Sequence, residues 1–311
     1  MTNAIELTNV TRAFGIGDSR TLAVDRLTFV VPQGSVFGLL GANGAGKTTA
    51  IRMMVSHLLP DSGNVQILGE NPALQREELR RRVAYISENM QIPNWMTLAD
   101  AAAFCEKMYP NWNHKLVDHL EKRFRLEGKK QYNEYSKGQR RAVCLILGLA
   151  QNADVLILDE PASGLDTLAR HDFLEEILNV ACEENRTVLF SSHILGDIER
   201  IVDRVAILTH GRMVIEGELD SLKENVRRIR RRRPKNNGNS ASEQSESMER
   251  IFQILQSRQS ENETEFVTEW IVADFSEEKL AAWRLSLPAN DQTALEIEGL
   301  NLEELFVETV K

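Results

Sequence analysis

The chain has 311 residues, a formal net charge of −9, 42% hydrophobic and 27% charged residues. That length holds one large domain, or a large one with a small companion. The composition is that of a soluble globular protein, and no apolar run reaches the roughly eighteen residues that span a bilayer. The opening "MTNAIELTNVTRAF" has neither the basic flank nor the apolar stretch of a secretory signal. Cys105, Cys144 and Cys182 follow no metal spacing and read as reduced, packed thiols of a cytoplasmic protein.

Residues 4–31 alternate in a way that suits short strands, and "GSVFGLL" is the compact apolar run of a strand buried on both faces. "GANGAGKTT" opens a helix, "AIRMMVSHLL", which "PDSG" closes. A strand, "NVQILG", comes next, and then "REELRRRVAYIS", a helix running into a strand. Residues 97–130 read as helical, as does "AVCLILGLA" after the polar "NEYSKGQRR", where Ser136 is placed as an N-cap. "DVLILDEP" and "TVLFSSH" are buried strands, "TLARHDFLEEILNVACEEN" and "ILGDIERIV" helices, and "RVAILTHGRMVIEGEL" a hairpin. Buried strands alternating with amphipathic helices predict an α/β domain with a mainly parallel sheet over residues 1–226, carrying a helical subdomain at about 89–150.

At residue 227 the character changes. "RRIRRRRPK" carries seven basic residues, and the stretch after it has almost no apolar content, so 227–248 reads as a basic, polar, flexible linker. Residues 249–311 read as a small α+β appendage: strand "EFVTEWIVADF", helix "SEEKLAAWRLSL", strand "QTALEIEGL" and helix "NLEELFVETVK". An acidic body with one basic run, and no aromatics interleaved in that run, argues against nucleic-acid binding. The run reads as a solvated linker, with contact to anionic lipid headgroups as the alternative.

Two motifs carry chemistry. "GANGAGKTT" spans Gly41, Ala42, Asn43, Gly44, Ala45, Gly46, Lys47, Thr48 and Thr49, and fits a phosphate-binding loop between a buried strand and a helix. Its glycines let backbone N–H groups approach phosphate oxygens, and the helix N-terminus adds a favourable dipole. Lys47 is placed on the β- and γ-phosphates and the Thr48 hydroxyl on Mg²⁺. "VLILDEP" brings Asp159 to the end of a buried strand, where it can hold Mg²⁺, and puts Glu160 next as a general base for an attacking water. Acidic residues at a strand end are ordinary alone; beside the phosphate loop they are not.

The ordered set "GANGAGKTT", "YSKGQ", "LILDEPASGLD" and "SSH" resembles the ATPase subunit of an ATP-binding cassette (ABC) transporter over roughly residues 4–220. The resemblance implies a P-loop NTPase fold of the ABC type, with N-terminal antiparallel strands, a mainly parallel core and a helical subdomain. It also implies ATP and Mg²⁺ as ligands, and head-to-tail dimers, homo- or heteromeric, with each nucleotide between two subunits. "YSKGQ" is then the signature loop, with Ser136, Gly138 and Gln139 facing the partner's γ-phosphate; Tyr135 and Lys137 depart from the family's usual "LSGGQ". His193 matches the switch histidine, Asp166 the loop that communicates across the dimer, and Phe14 an aromatic that stacks on adenine. The family's usual glutamine, which touches Mg²⁺ and the attacking water, is matched by Glu88, with Gln91 as the alternative. Trp95, with Ile92, Pro93 and Met96, falls where the family receives a coupling helix, or else packs a helical insert. The resemblance implies a separate transmembrane permease subunit and a place at the cytoplasmic face of the membrane. The tail resembles those of ABC-2 and drug-exporter ATPases, favouring export over import. The alternative is a soluble regulatory ATPase uncoupled from transport.

Overall fold

The computed structural model describes residues 2–15, 19–183, 186–194, 196, 199–234, 248–261, 265–286 and 295–310. The chain forms two compact units, residues 1–216 and 217–311.

In the first unit, β1 (Asn3–Phe14) and β2 (Thr21–Pro32) form an antiparallel pair, and β1 also pairs with β4 (Ser62–Ile67). Between them in sequence come β3 (Val36–Gly41), every residue of which is buried, and α1 (Lys47–Met54). A short α2 (Glu77–Arg82) leads straight into β5 (Val83–Ser87). The helical region comes next, with α3 (Leu98–Glu106), α4 (His114–Arg123) and α5 (Lys137–Leu149). Thr97 and Asp100 close a reciprocal capping box on α3, and Ala142–Leu149 of α5 are all buried. Then come β6 (Val155–Asp159), α6 (Thr167–Glu183), β7 (Thr187–Ser192), β8 (Arg204–Thr209) and β9 (Arg212–Glu218).

The second sheet of this unit runs β5-β6-β7-β3-β8-β9, parallel from β5 through β8. Buried faces explain the continuous apolar runs of β3, β6 and β7, since a strand covered on both sides has no polar face to show. This order puts the C-terminal ends of β3, β6 and β7 side by side, and the loops that leave those ends build the site. Of the helix expected over 194–202, Leu195, Asp197 and Ile198 lie outside the described residues, and Glu199–Ile201 are turn residues.

The second unit adds α7 (Leu219–Asn225), β10 (Arg227–Pro234), β11 (Ile254–Glu261), β12 (Glu265–Val272), α8 (Glu277–Ser286), β13 (Leu295–Gly299) and α9 (Leu302–Val310). Its antiparallel sheet runs β11-β12-β10-β13. Trp270, Trp283, Ile229, Met248, Phe252, Val272 and Leu280 form its core, the two indoles edge-on at 5.7 Å.

Here the structure corrects the sequence reading. The basic run over 227–234 is a central strand, not a linker; of the expected linker, residues 235–247 lie outside the described residues. The physical reason is charge compensation from the neighbouring strands and from α9. Arg228 lies 3.5 Å from Glu298 and 3.1 Å from Glu308, Arg230 2.8 Å from Glu269, and Arg232 3.1 Å from Glu296. On alternate positions Ile229 and Arg231 are buried. Cross-strand opposite charges stabilise a sheet, and here they turn a run that looks repulsive into a matched ladder. Arg228, Arg230 and Arg232 are thereby engaged with carboxylates of the chain itself.

Candidate functional site

The loop Gly41–Gly46 leaves β3 and enters α1 through Gly46 as N-cap, at φ 106°. A Cβ there would stand 2.5 Å from the Ala23 carbonyl, so no larger residue fits the turn. At Gly41 a Cβ would stand 2.7 Å from the Leu208 carbonyl. Lys47, 5% exposed, donates from Nζ to the carbonyls of Gly41 (2.6 Å) and Ala42 (3.3 Å), and lies 3.2 Å from Glu160 Oε1. Thr48 Oγ1 donates to Asp159 Oδ1 at 3.1 Å, so the two groups read as metal-binding from the sequence do converge.

Asp159 is buried, and Ser191 Oγ donates to the same Oδ1 at 2.7 Å while accepting from the Glu160 N–H at 3.0 Å. Ser191 was legible only as part of "SSH"; its place at the end of a buried strand was the signal. Glu160 takes φ 51°, a left-handed conformation that costs a non-glycine residue of order 1–3 kcal/mol and persists where its surroundings fix it. Its second carboxylate oxygen meets His193 Nδ1 at 2.8 Å. Lys47, Glu160 and His193 therefore form one connected group, with each oxygen of the carboxylate held by a different partner.

Glu88 goes elsewhere. Ser163 Oγ donates to its Oε1 at 3.1 Å and Arg141 Nη2 lies 3.4 Å away, a hydroxyl and a cation that satisfy its charge beside the loop after Asp159. The sequence reading set Glu88 at the metal with Thr48 and Asp159; the structure brings it to Arg141 instead, a residue that reading passed over. Gln91, its alternative, is exposed.

The signature-like residues cap α5. Ser136 Oγ accepts from the Gln139 N–H at 3.2 Å, and the Gln139 side chain accepts from the Ser136 N–H at 3.1 Å. Gly138 and Lys137 face the next loop: a Cβ on Gly138 would touch Leu165 at 3.5 Å, and one on Gly164 would stand 3.0 Å from Lys137 Nζ. Asp166 caps α6, accepting from the Ala169 N–H at 2.9 Å. Tyr135 is buried, with its hydroxyl donating to the Glu127 carbonyl at 2.5 Å. Tyr135→Phe should therefore lower stability by about 1 kcal/mol, the usual worth of one such bond, in a urea unfolding titration. An unchanged midpoint would show that the hydroxyl contributes nothing.

Phe14 is 44% exposed, with the Arg12 guanidinium 5.1 Å over its ring. Trp95 is 66% exposed and does not pack a core. A separate groove of about 530 Å³ is lined by Met54, His57, Leu79, Tyr85, Met90 and Tyr109 among others.

Residues 24–163 match the family model described as ABC transporter. The chain is 34% identical over 230 residues to the bacitracin transport ATP-binding protein BcrA of Bacillus licheniformis, spanning 73% of this chain and 74% of that protein. It is 31% identical over 226 residues to the Nod factor export ATP-binding protein I of Rhizobium sp. (strain N33), spanning 71% and 73% respectively. Among solved structures, one of the ATP-binding subunit of an ABC transporter superposes with a TM-score of 0.63 at 29% identity, covering 72% of this chain and 92% of that one.

Proposed function

The chain belongs to the ATP-binding proteins of ABC transporters, ATPases by family, and from that premise we propose that it dimerises on ATP to drive a separate membrane-embedded partner, in the direction of export. Bacitracin transport and Nod factor export among the relatives favour transport over the regulatory alternative. No described helix is long and apolar enough to cross a membrane, which is consistent with the span belonging to another polypeptide. The cytoplasmic membrane face is the location this reading requires.

One observation carries the chemistry: Glu160 stands at the end of a strand between Lys47 and His193, next to the Thr48–Asp159 oxygen pair. Oxygen donors of this kind suit Mg²⁺, and the turn at Gly46 admits no side chain, so the residues fit both a metal and a phosphate chain. Thr48 and Asp159 would hold the metal, which supplies charge neutralisation along the phosphates when bound. Lys47 binds the terminal phosphates of ATP with the loop N–H groups. Glu160 accepts a proton from the attacking water, and His193 fixes one carboxylate oxygen so that the other is free to do so once Lys47 has turned to phosphate. Phe14, exposed at the end of β1, offers its ring face to the adenine. Ser136, Lys137 and Gly138 present the α5 N-terminus to the nucleotide of a second subunit, where Lys137 adds a positive charge.

Purified chain should hydrolyse ATP with Mg²⁺ and shift to a dimer on sizing with ATP. Turnover without any dimer would sink the shared-site reading. The groove lined by Met54, Leu79, Tyr85, Met90 and Tyr109 is the proposed seat of the membrane partner. A charge introduced there by Met90→Arg should abolish co-purification of that partner while ATP affinity stays at the wild-type value. Retained co-purification would move the docking site elsewhere.

A further inference from the structure

Arg141 stands four residues after Lys137 on α5, yet its side chain ends at the loop after β6. Nη1 donates to the carbonyls of both Glu160 (3.0 Å) and Pro161 (3.1 Å), while Nη2 meets Glu88 Oε1 at 3.4 Å. The Arg141 side chain is 11% exposed, so these acceptors rather than solvent hold its guanidinium. Glu88 in turn accepts from Ser163 Oγ, and the Ser163 N–H donates to the Glu160 carbonyl at 3.2 Å. The turn Glu160–Ser163 is thus pinned at each end to one cation.

That turn carries the left-handed residue of the site. With φ at 51°, Glu160 needs its backbone held from outside, because a non-glycine residue does not rest there by preference. Two contacts from outside the turn hold it: Ser191 Oγ takes its N–H, and Arg141 takes its carbonyl. Released from that geometry, the backbone would relax toward the right-handed or extended region and swing the carboxylate away from His193 and Lys47.

We propose that Arg141 is a positioning residue for Glu160: its planar fork fixes the strained backbone that aims the carboxylate, with Glu88 and Ser163 fixing the fork. The inference rests on the reading of Glu160 as the base. Arginine suits this because one edge donates to a pair of carbonyls while the rest of the group meets a carboxylate; a lysine offers a single point charge.

Steady-state ATP hydrolysis and ATP affinity by fluorescent-nucleotide titration test it, on full-length wild type, Arg141→Met, Arg141→Lys, Glu160→Gln and the double variant Arg141→Met with Glu160→Gln. The expected result for Arg141→Met is a kcat lower by about thirtyfold with ATP affinity within about twofold, since a displaced base is lost only in the transition state. Arg141→Lys should fold with a wild-type melting midpoint and recover only part of that loss. In the Glu160→Gln background, Arg141→Met should cause no further loss, because a residue acting through Glu160 has nothing left to position. Equal losses in both backgrounds, or wild-type kcat in Arg141→Met, would overturn the positioning role. Wild-type turnover by Glu160→Gln alone would instead overturn the base, and this inference with it.

Discussion

Glu160→Gln is expected to lower steady-state ATP hydrolysis by at least about a hundredfold while leaving ATP affinity within about threefold, the loss usual for a missing general base. Glutamine keeps the shape of the side chain and one oxygen that His193 can meet, so the geometry of the pocket survives. What disappears is the basic oxygen, and with it the acceptor for the water proton. Lys47 keeps two carbonyl acceptors, Gly41 and Ala42, and remains in the loop. The phosphate cradle is therefore intact, and bound ATP is retained rather than consumed. On sizing with ATP and Mg²⁺, the variant should run as a persistent dimer where wild type exchanges. A variant that turns over normally would remove Glu160 from the base role.

Lys47→Ala acts at the opposite end of the same contact. The ammonium is buried and held by two carbonyls and a carboxylate, so its removal deletes the one formal positive charge of the phosphate loop. A hydrogen bond to a charged group is worth about 1.5–3 kcal/mol, which corresponds to a loss of roughly ten- to a hundredfold or more in ATP affinity. The loss should appear in binding itself, by equilibrium titration, before turnover is considered. Unchanged affinity would contradict the phosphate-loop reading. Together the two variants separate binding from chemistry: one lets ATP go, the other keeps it.

Much of this site could be read from the chain because each part is local. A Gly-rich turn between an apolar strand and a helix has its meaning within nine residues, and so does Asp159-Glu160 after four apolar positions. The same holds for the cap made by Ser136 and Gln139, which closes within one turn of α5. Glu88 and Arg141 are 53 positions apart, and no local pattern says that they meet. A family habit placed Glu88 on the metal; the charge that satisfies it came from a helix whose own sequence suggested only a cap.

The second unit shows the same limit more sharply. Judged by composition alone, six arginines in seven residues cannot form an ordered strand, because the carboxylates that neutralise them lie some forty to eighty residues downstream. The edge strand β11, "ILQSRQSE", gave no signal either, being polar on both sides of its pleat and lacking the alternation of a half-buried strand. The parallel sheet was legible because its central strands β3, β6 and β7 are buried on both faces; this sheet was not, since long-range pairing decides it.

The place of β10 in its sheet sets an order of events during synthesis. It is the first strand of its sheet to leave the ribosome and ends in the middle, between β12 and β13. Arg231 pairs across to Thr268 on one side and Leu295 on the other, so both flanks stay open until almost the whole chain has emerged. An unpaired strand is a template for wrong partners, and repelling charge is a common guard against them. The arginines that later form a ladder thus serve earlier as a keep-apart signal between nascent chains. Premature termination between residues 272 and 295 would release that strand with one side still bare.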